Sequence, residues 1–212
     1  MIEAAIGEAE SRTAGEIVPV VTTASGRYDR GEDLFGLVVA IVVLTGAWWL
    51  FQDVEVTQTD WAAKYTVALG LVPVLAIVVV AFLLGAVAAT FFPVLRLPFI
   101  SRAEMEDEVE RSAAAAFRRL RVRGTAAGTG ILIYVSLYER MVRVLGDDAI
   151  NARVTQADWD AVCRLAVDGL RTSRGAEGLA DAIRKAGELL SRHFPVQPGD
   201  RNEIVNELQL ID

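Results

Sequence analysis

The chain has one histidine, His193, and one cysteine, Cys163, in 212 residues. A Cys/His zinc cluster within one chain is therefore excluded, and so is a disulfide scaffold. Cys163 falls on the apolar face of a predicted helix and reads as a core thiol, while His193 sits in a last helical turn, where a cation suits the dipole. No Gly-Lys-Ser/Thr phosphate motif is present. Gly124, Gly128 and Gly130 lie after a predicted helix and before a predicted strand, the reverse of the order that cradles phosphate, and they read as a turn. A net charge of −7, with no recognisable binding module, argues against a nucleic-acid partner. The first residues are rich in Glu and Ala without an apolar core, so no signal peptide is expected. Charge itself is unevenly missing: the whole chain is 23% charged, yet Leu34–Leu95 carries only Asp53, Glu55, Asp60 and Lys64. That excludes a plain cytosolic enzyme.

What fills this gap is apolar. Residues 34–51 form an uncharged run that covers about 27 Å as a helix, against roughly 30 Å of bilayer hydrocarbon. A second uncharged run holds a span near 67–91, with Pro73 as a kink and Pro93 as a stop. Arg27 and Arg30 precede the first span and Arg96, Arg102 and Arg111 follow the second, whereas the loop has Lys64 against three acids. The positive-inside rule then places both termini in the cytoplasm and the loop outside. Trp48, Trp49, Trp61 and Tyr65 gather at the loop side as an interfacial aromatic belt. Ala81, Gly85 and Ala89 make a small-residue strip on one face of the second span, expected to pack against the first.

The remaining sequence reads as one discontinuous cytoplasmic α/β domain, 1–33 plus 96–212, interrupted by the transmembrane hairpin at 34–95. A helix is predicted over 2–12 and a strand over 16–23. Beyond the hairpin come a helix opening at a Ser101–Glu104 capping box, strands over 131–137 and 141–145, a helix opening at Thr155–Asp158, and a helix over 177–193. The tail with Pro198-Gly199 is expected to be peripheral. Because an even number of spans returns the chain to its starting side, the early strand can join the later sheet.

Chemistry-bearing residues are few. Asp147 and Asp148 follow a predicted strand, and Glu139 and Arg140 lie at its other end. Clustered acids at a strand end can hold Ca²⁺ or Mg²⁺ through oxygen ligands, and Arg140 is the candidate for binding an anion. Arg118–Arg123 reads as a solvated face that complements the helix dipole, with contact to anionic lipid as the alternative.

Several motifs carry a family resemblance. They are Thr13-x-Gly-Glu16-Ile-Val-x-Val-Val, Gly130-Ile-Leu-Ile-x-Val-Ser136, Glu139-Arg140-x-Val-x-Val-Leu-Gly146-Asp147, Trp159, Gly178-Leu-x-x-Ala182-Ile and Gly187. Together they resemble the TPM (thylakoid phosphatase-like) domain family, in its bacterial membrane-embedded branch. The resemblance implies a small sheet covered by helices on both faces. It also implies one of two activities, since some relatives are acid phosphatases or bind calcium and others are accessory proteins of membrane complexes. Typical members have a turn resembling G-x-G-L-E-G after the returning strand; here residues 146–151 lack its second glycine and its glutamate. The expected function is a membrane-anchored accessory or binding module for another membrane protein. The alternative is a metal-assisted phosphomonoesterase with Asp147 and Asp148 as ligands and Arg140 on the phosphate.

Overall fold

A computed structural model describes residues 1–51, 70–125, 128–196 and 202–211. Trp61, Tyr65, the loop over 52–66, the first residues of the second predicted span and Pro198-Gly199 lie outside the described residues. The chain divides into two compact units, Met1–Gly26 with Ala103–Asp212, and Arg27–Arg102.

The Arg27–Arg102 unit is built on two helices, α2 (Asp29–Phe51) and α3 (Leu71–Phe91), followed by 3-10 turns at Pro93–Leu95 and Leu97–Phe99. α2 starts five residues before the uncharged run does. Asp29 and Glu32 occupy its first turn, where the partial positive charge of the helix end favours carboxylates, so the charged residues extend the helix. The helices run antiparallel and meet through small residues: Gly36 and Ala40 are buried on α2, and Ala81, Gly85 and Ala89 on α3, while Gly31 is buried against Arg96 and Ile100. A Cβ added at Gly85 would lie 2.9 Å from the Gly36 Cα, and one at Gly36 would lie 2.8 Å from the Phe82 carbonyl oxygen. Backbone approaches this close leave no room for a side chain and allow dense packing without polar groups. At one end Arg96 pairs with Glu32, whose other oxygen accepts from the Thr90 hydroxyl at 2.9 Å. Away from the seam, Leu37, Ile41, Val42, Val79, Leu83 and Leu84 are exposed.

In the other unit, four strands form a sheet in the order β3-β2-β1-β4: β1 (Glu16–Thr22), β2 (Gly130–Ser136), β3 (Met141–Gly146) and β4 (Gln209–Ile211). β1 pairs parallel with β2 from Glu16↔Gly130 to Thr22↔Ser136, and β3 returns antiparallel to β2. Parallel neighbours need a crossover; the helix immediately before β2 is α4 (Arg102–Arg119), which covers one face. The two-residue period of a strand sorts the side chains. Ile17, Ile131, Ile133 and Val135 point to a core shared with α1 (Ile2–Glu10), α6 (Gln156–Arg171) and α7 (Gly175–His193). Val18, Val20, Leu132 and Tyr134 point the other way, onto Val109, Ala113 and Ala116 of α4. The fold is thus an α/β sheet with helices on both faces, as the family resemblance implies.

Two elements differ from expectation. The C-terminal tail is not peripheral: β4 pairs parallel with β1 from Val20↔Gln209 to Thr22↔Ile211, and Ile211 and Leu208 pack against opposite faces of the sheet. Pro19, which has no N–H to donate, lies in the part of β1 that β4 does not reach. A short helix, α5 (Asp148–Asn151), follows β3 directly, and at four residues it is too brief for periodicity to reveal. The Thr155–Asp158 capping box forms with both bonds in place. The Thr155 hydroxyl, which donates to Asp158 Oδ2 at 2.6 Å, holds that carboxyl below its usual range.

Candidate functional site

Three groups of polar side chains need a physical account. The first lies where β3 ends. Asp147 adopts an extended backbone and caps α5, its Oδ1 accepting from the Asp148 N–H at 2.7 Å. The same oxygen accepts from Arg123 Nε at 3.2 Å, and both Asp148 oxygens accept from Arg123 Nη2, at 2.8 and 2.7 Å. Arg123 reaches the site from the 3-10 turn Val122–Gly124, and its hydrogen bond to Asp147, followed by that to Asp148 and by the charges of both, raises its pKa further. Gly128 closes the approach with φ +63°, a conformation that suits glycine.

A guanidinium therefore pairs with both acids. Glu139 does not join them: it sits in the turn at the opposite end of β3, a six-residue strand about 20 Å long. Arg140 stands in that same turn, exposed, with φ 53°, and is likewise remote from Asp147. Among the described residues, no group of three or more His, Cys, Asp or Glu side chains converges as a metal site. The three candidate acids do not fit one ion. Asp147→Ala is expected to cost about 1–2 kcal/mol through the lost cap and the screened ion pair. A urea titration of the full chain in detergent checks it, and no change in midpoint would contradict the capping role.

The second group surrounds Glu139, which is buried. Its Oε1 accepts from the N–H groups of Ser25 at 2.9 Å and Gly26 at 3.4 Å, and its Oε2 accepts from the Ser136 hydroxyl. Ser25 Oγ donates to Ser136 Oγ at 2.9 Å and lies 3.1 Å from the Tyr134 hydroxyl. Tyr134 and Ser136 share a face of β2 because they are two residues apart. That alternation was readable in the sequence; their meeting with Ser25 and Glu139 was not.

The third group joins α1, β1 and the tail. Glu16 accepts from the Glu203 N–H at 3.0 Å, and Glu10 accepts from the Ile17 N–H at 3.0 Å. Burial pushes the Glu10 carboxyl up from 4.5 to about 7, with the Glu16 charge adding to the rise and the Ile17 N–H and Asn206 opposing it. The folded chain thus holds the Glu10 proton more tightly than the unfolded chain. This stabilisation is fully present below about pH 4.5 and is lost as the pH rises through about 7. Glu10→Gln is expected to be more stable than the parent at pH 8 by about 1–2 kcal/mol, after allowance for solvent screening, and equal to it at pH 4. Urea titrations at the two pH values measure the difference; equal stability at both would remove the effect.

The remaining candidates take structural places. Cys163 is partly buried in the first core, and burial raises its thiol pKa, which leaves it a poor nucleophile. His193 ends α7 beside Phe194, their rings 6.5 Å apart. Trp48 and Trp49 are exposed near the C-terminal end of α2.

Comparison with known folds agrees with this architecture. The NMR structure of the BA42 protein from the psychrophilic bacterium Bizionia argentinensis sp. nov. aligns with a TM-score of 0.55, over 99% of this chain and 89% of that one, at 19% identity. At that identity the likeness concerns the fold. A search of curated proteins finds no match. The family model of the TPM domain matches residues 95–189, the stretch that holds α4, β2, β3 and α6 together with most of α7, and over that stretch the chain is similar to a TPM domain.

Proposed function

We propose that the protein is a multi-pass protein of the bacterial inner (plasma) membrane, with both termini cytoplasmic, whose TPM domain serves as an accessory module that binds another membrane protein. The observation that carries this reading is the surface of α2 and α3. They are 23 and 21 residues long, about 34 and 31 Å, and only 11% of the most apolar stretch of each is buried. A soluble core helix would bury that surface; in water these faces would expose Leu, Ile and Val in quantity. Arg27, Arg30, Arg96 and Arg102 at the outer ends of the hairpin support a cytoplasmic placement of those ends. The binding role is supported by how the acids are used. Asp147, Asp148 and Glu139 hold helix α5, Arg123 and the turn at Ser25.

The test is purification of the tagged full chain from its source membranes in a mild detergent. One membrane protein is expected to accompany it reproducibly and in comparable amount. Recovery without a partner, together with metal-dependent hydrolysis of an aryl phosphate that Asp147→Asn abolishes, would replace this reading with a metal-assisted phosphatase.

A further inference from the structure

Between α4 and the sheet lies a cavity of about 250 Å³, lined by Thr22, Ser25, Ser112, Arg119 and Tyr134, with Ile211 in its wall. Its hydroxyl groups are oriented by what lies behind them. Glu139 accepts from the N–H groups of Ser25 and Gly26 and from the Ser136 hydroxyl. Ser136 uses its proton on Glu139, so it can only accept from Ser25. Ser25 has likewise used its single proton, and in its contact with Tyr134 the phenol is therefore the donor. Ser112 donates to the Ser25 carbonyl and Thr22 to the Ala24 carbonyl, each at 3.0 Å. All the hydroxyl protons around the cavity thus point into the protein, and the polar part of its wall presents oxygen lone pairs, while Ala24, Ala115, Ala116 and Ile211 make the rest apolar. A buried carboxylate stands behind them.

Arg119 supplies the opposite character. It is exposed, lines the same cavity, and makes no hydrogen bond or ion pair among the described residues. The inner wall therefore favours a cationic donor and Arg119 favours an anion, both in one small space. A carboxylate suits Arg119 because a guanidinium matches it in two-point geometry. Pockets for drug-sized ligands run about 300–1,000 Å³, so this one admits only a small molecule.

We propose that this cavity is a binding site for a small ammonium carboxylate, with the ammonium on the Tyr134 and Ser25 oxygens and the carboxylate on Arg119. The site is independent of the membrane partner, and its test does not require one. Isothermal titration of the full chain in a nonionic detergent compares glycine, 3-aminopropanoate and 4-aminobutanoate, which set the two charges progressively farther apart. Propanoate, propylamine and inorganic phosphate carry one kind of charge each. At least one zwitterion is expected to saturate one site per chain and to exceed all three single-charge probes. Arg119→Gln and Tyr134→Phe should each weaken it roughly tenfold or more, while Arg118→Gln should leave it unchanged. Tyr134→Phe keeps the ring in the core, and unchanged far-ultraviolet circular dichroism confirms that both variants fold. Absence of saturable zwitterion binding, equal binding of phosphate or propanoate, or wild-type affinity in Tyr134→Phe would each overturn the site and leave the hydroxyl chain a structural strut.

Discussion

Gly130→Ala is expected to destabilise the α/β unit by about 3 kcal/mol or more, at the upper end for a single substitution. Gly130 opens β2 opposite Glu16, and its carbonyl accepts from the Asp147 N–H at 3.0 Å. A Cβ there would collide with the Val122 carbonyl oxygen and fall 2.8 Å from Val122 Cγ1. No rotamer relieves the first contact, because the obstacle is backbone. Val122 is itself fully buried, so the 3-10 turn cannot step aside into solvent. Either the central strand pairing or the turn must shift, and moving the turn also withdraws Arg123 from Asp147. Against a typical total of about 5–15 kcal/mol, this loss should leave a visible unfolded fraction. A urea midpoint close to the parent's would mean that β2 and the turn are not packed as described.

Trp159→Ala is the second large effect, expected at about 3–5 kcal/mol. Trp159 lies in the first turn of α6, directly after the Thr155–Asp158 capping box, and is 4% exposed in the core beneath α1 and α7. The box fixes where the helix begins, and so which residue of the first turn points inward. Removing the indole leaves a void that the neighbouring helices cannot close without losing their own contacts. Trp159 is the one tryptophan in the sequence of the α/β unit, so its removal also removes that unit's fluorescent probe, and calorimetry or far-ultraviolet circular dichroism should follow the shift. Thr155→Ala, which removes only the cap, should cost about 1 kcal/mol by comparison.

Much of the fold was readable because it rests on local patterns. The alternation in Ile131–Val135 and Ile17–Val20 specifies which side chains enter each core, and the four-residue spacing of Ala81, Gly85 and Ala89 marks the face of α3 that meets α2. β4 escaped notice because three residues pair with β1 only after the sheet exists, and nothing local distinguishes Gln209–Ile211 from a loop. The site was harder for a related reason. Adjacent acids at 147 and 148 were conspicuous, but the group that neutralises them stands 24 residues earlier, at Arg123. Likewise the chain from Tyr134 through Ser25 and Ser136 to Glu139 spans more than a hundred residues of sequence and consists of unremarkable hydroxyls. Ion pairs and relays of this kind are set by strand register, which the sequence specifies only through the whole core.

We propose that the TPM-like domain is tied to a bilayer by the α2–α3 hairpin, with both chain ends on the cytoplasmic side. A reporter that is active only outside the cytoplasm, inserted within residues 52–60 of the full chain, tests it most directly, with the same reporter at the C-terminus as the paired measurement. Activity from the inserted loop and none from the C-terminus is the predicted result. Activity only at the C-terminus, or release of the protein from membranes by alkaline carbonate, would contradict it.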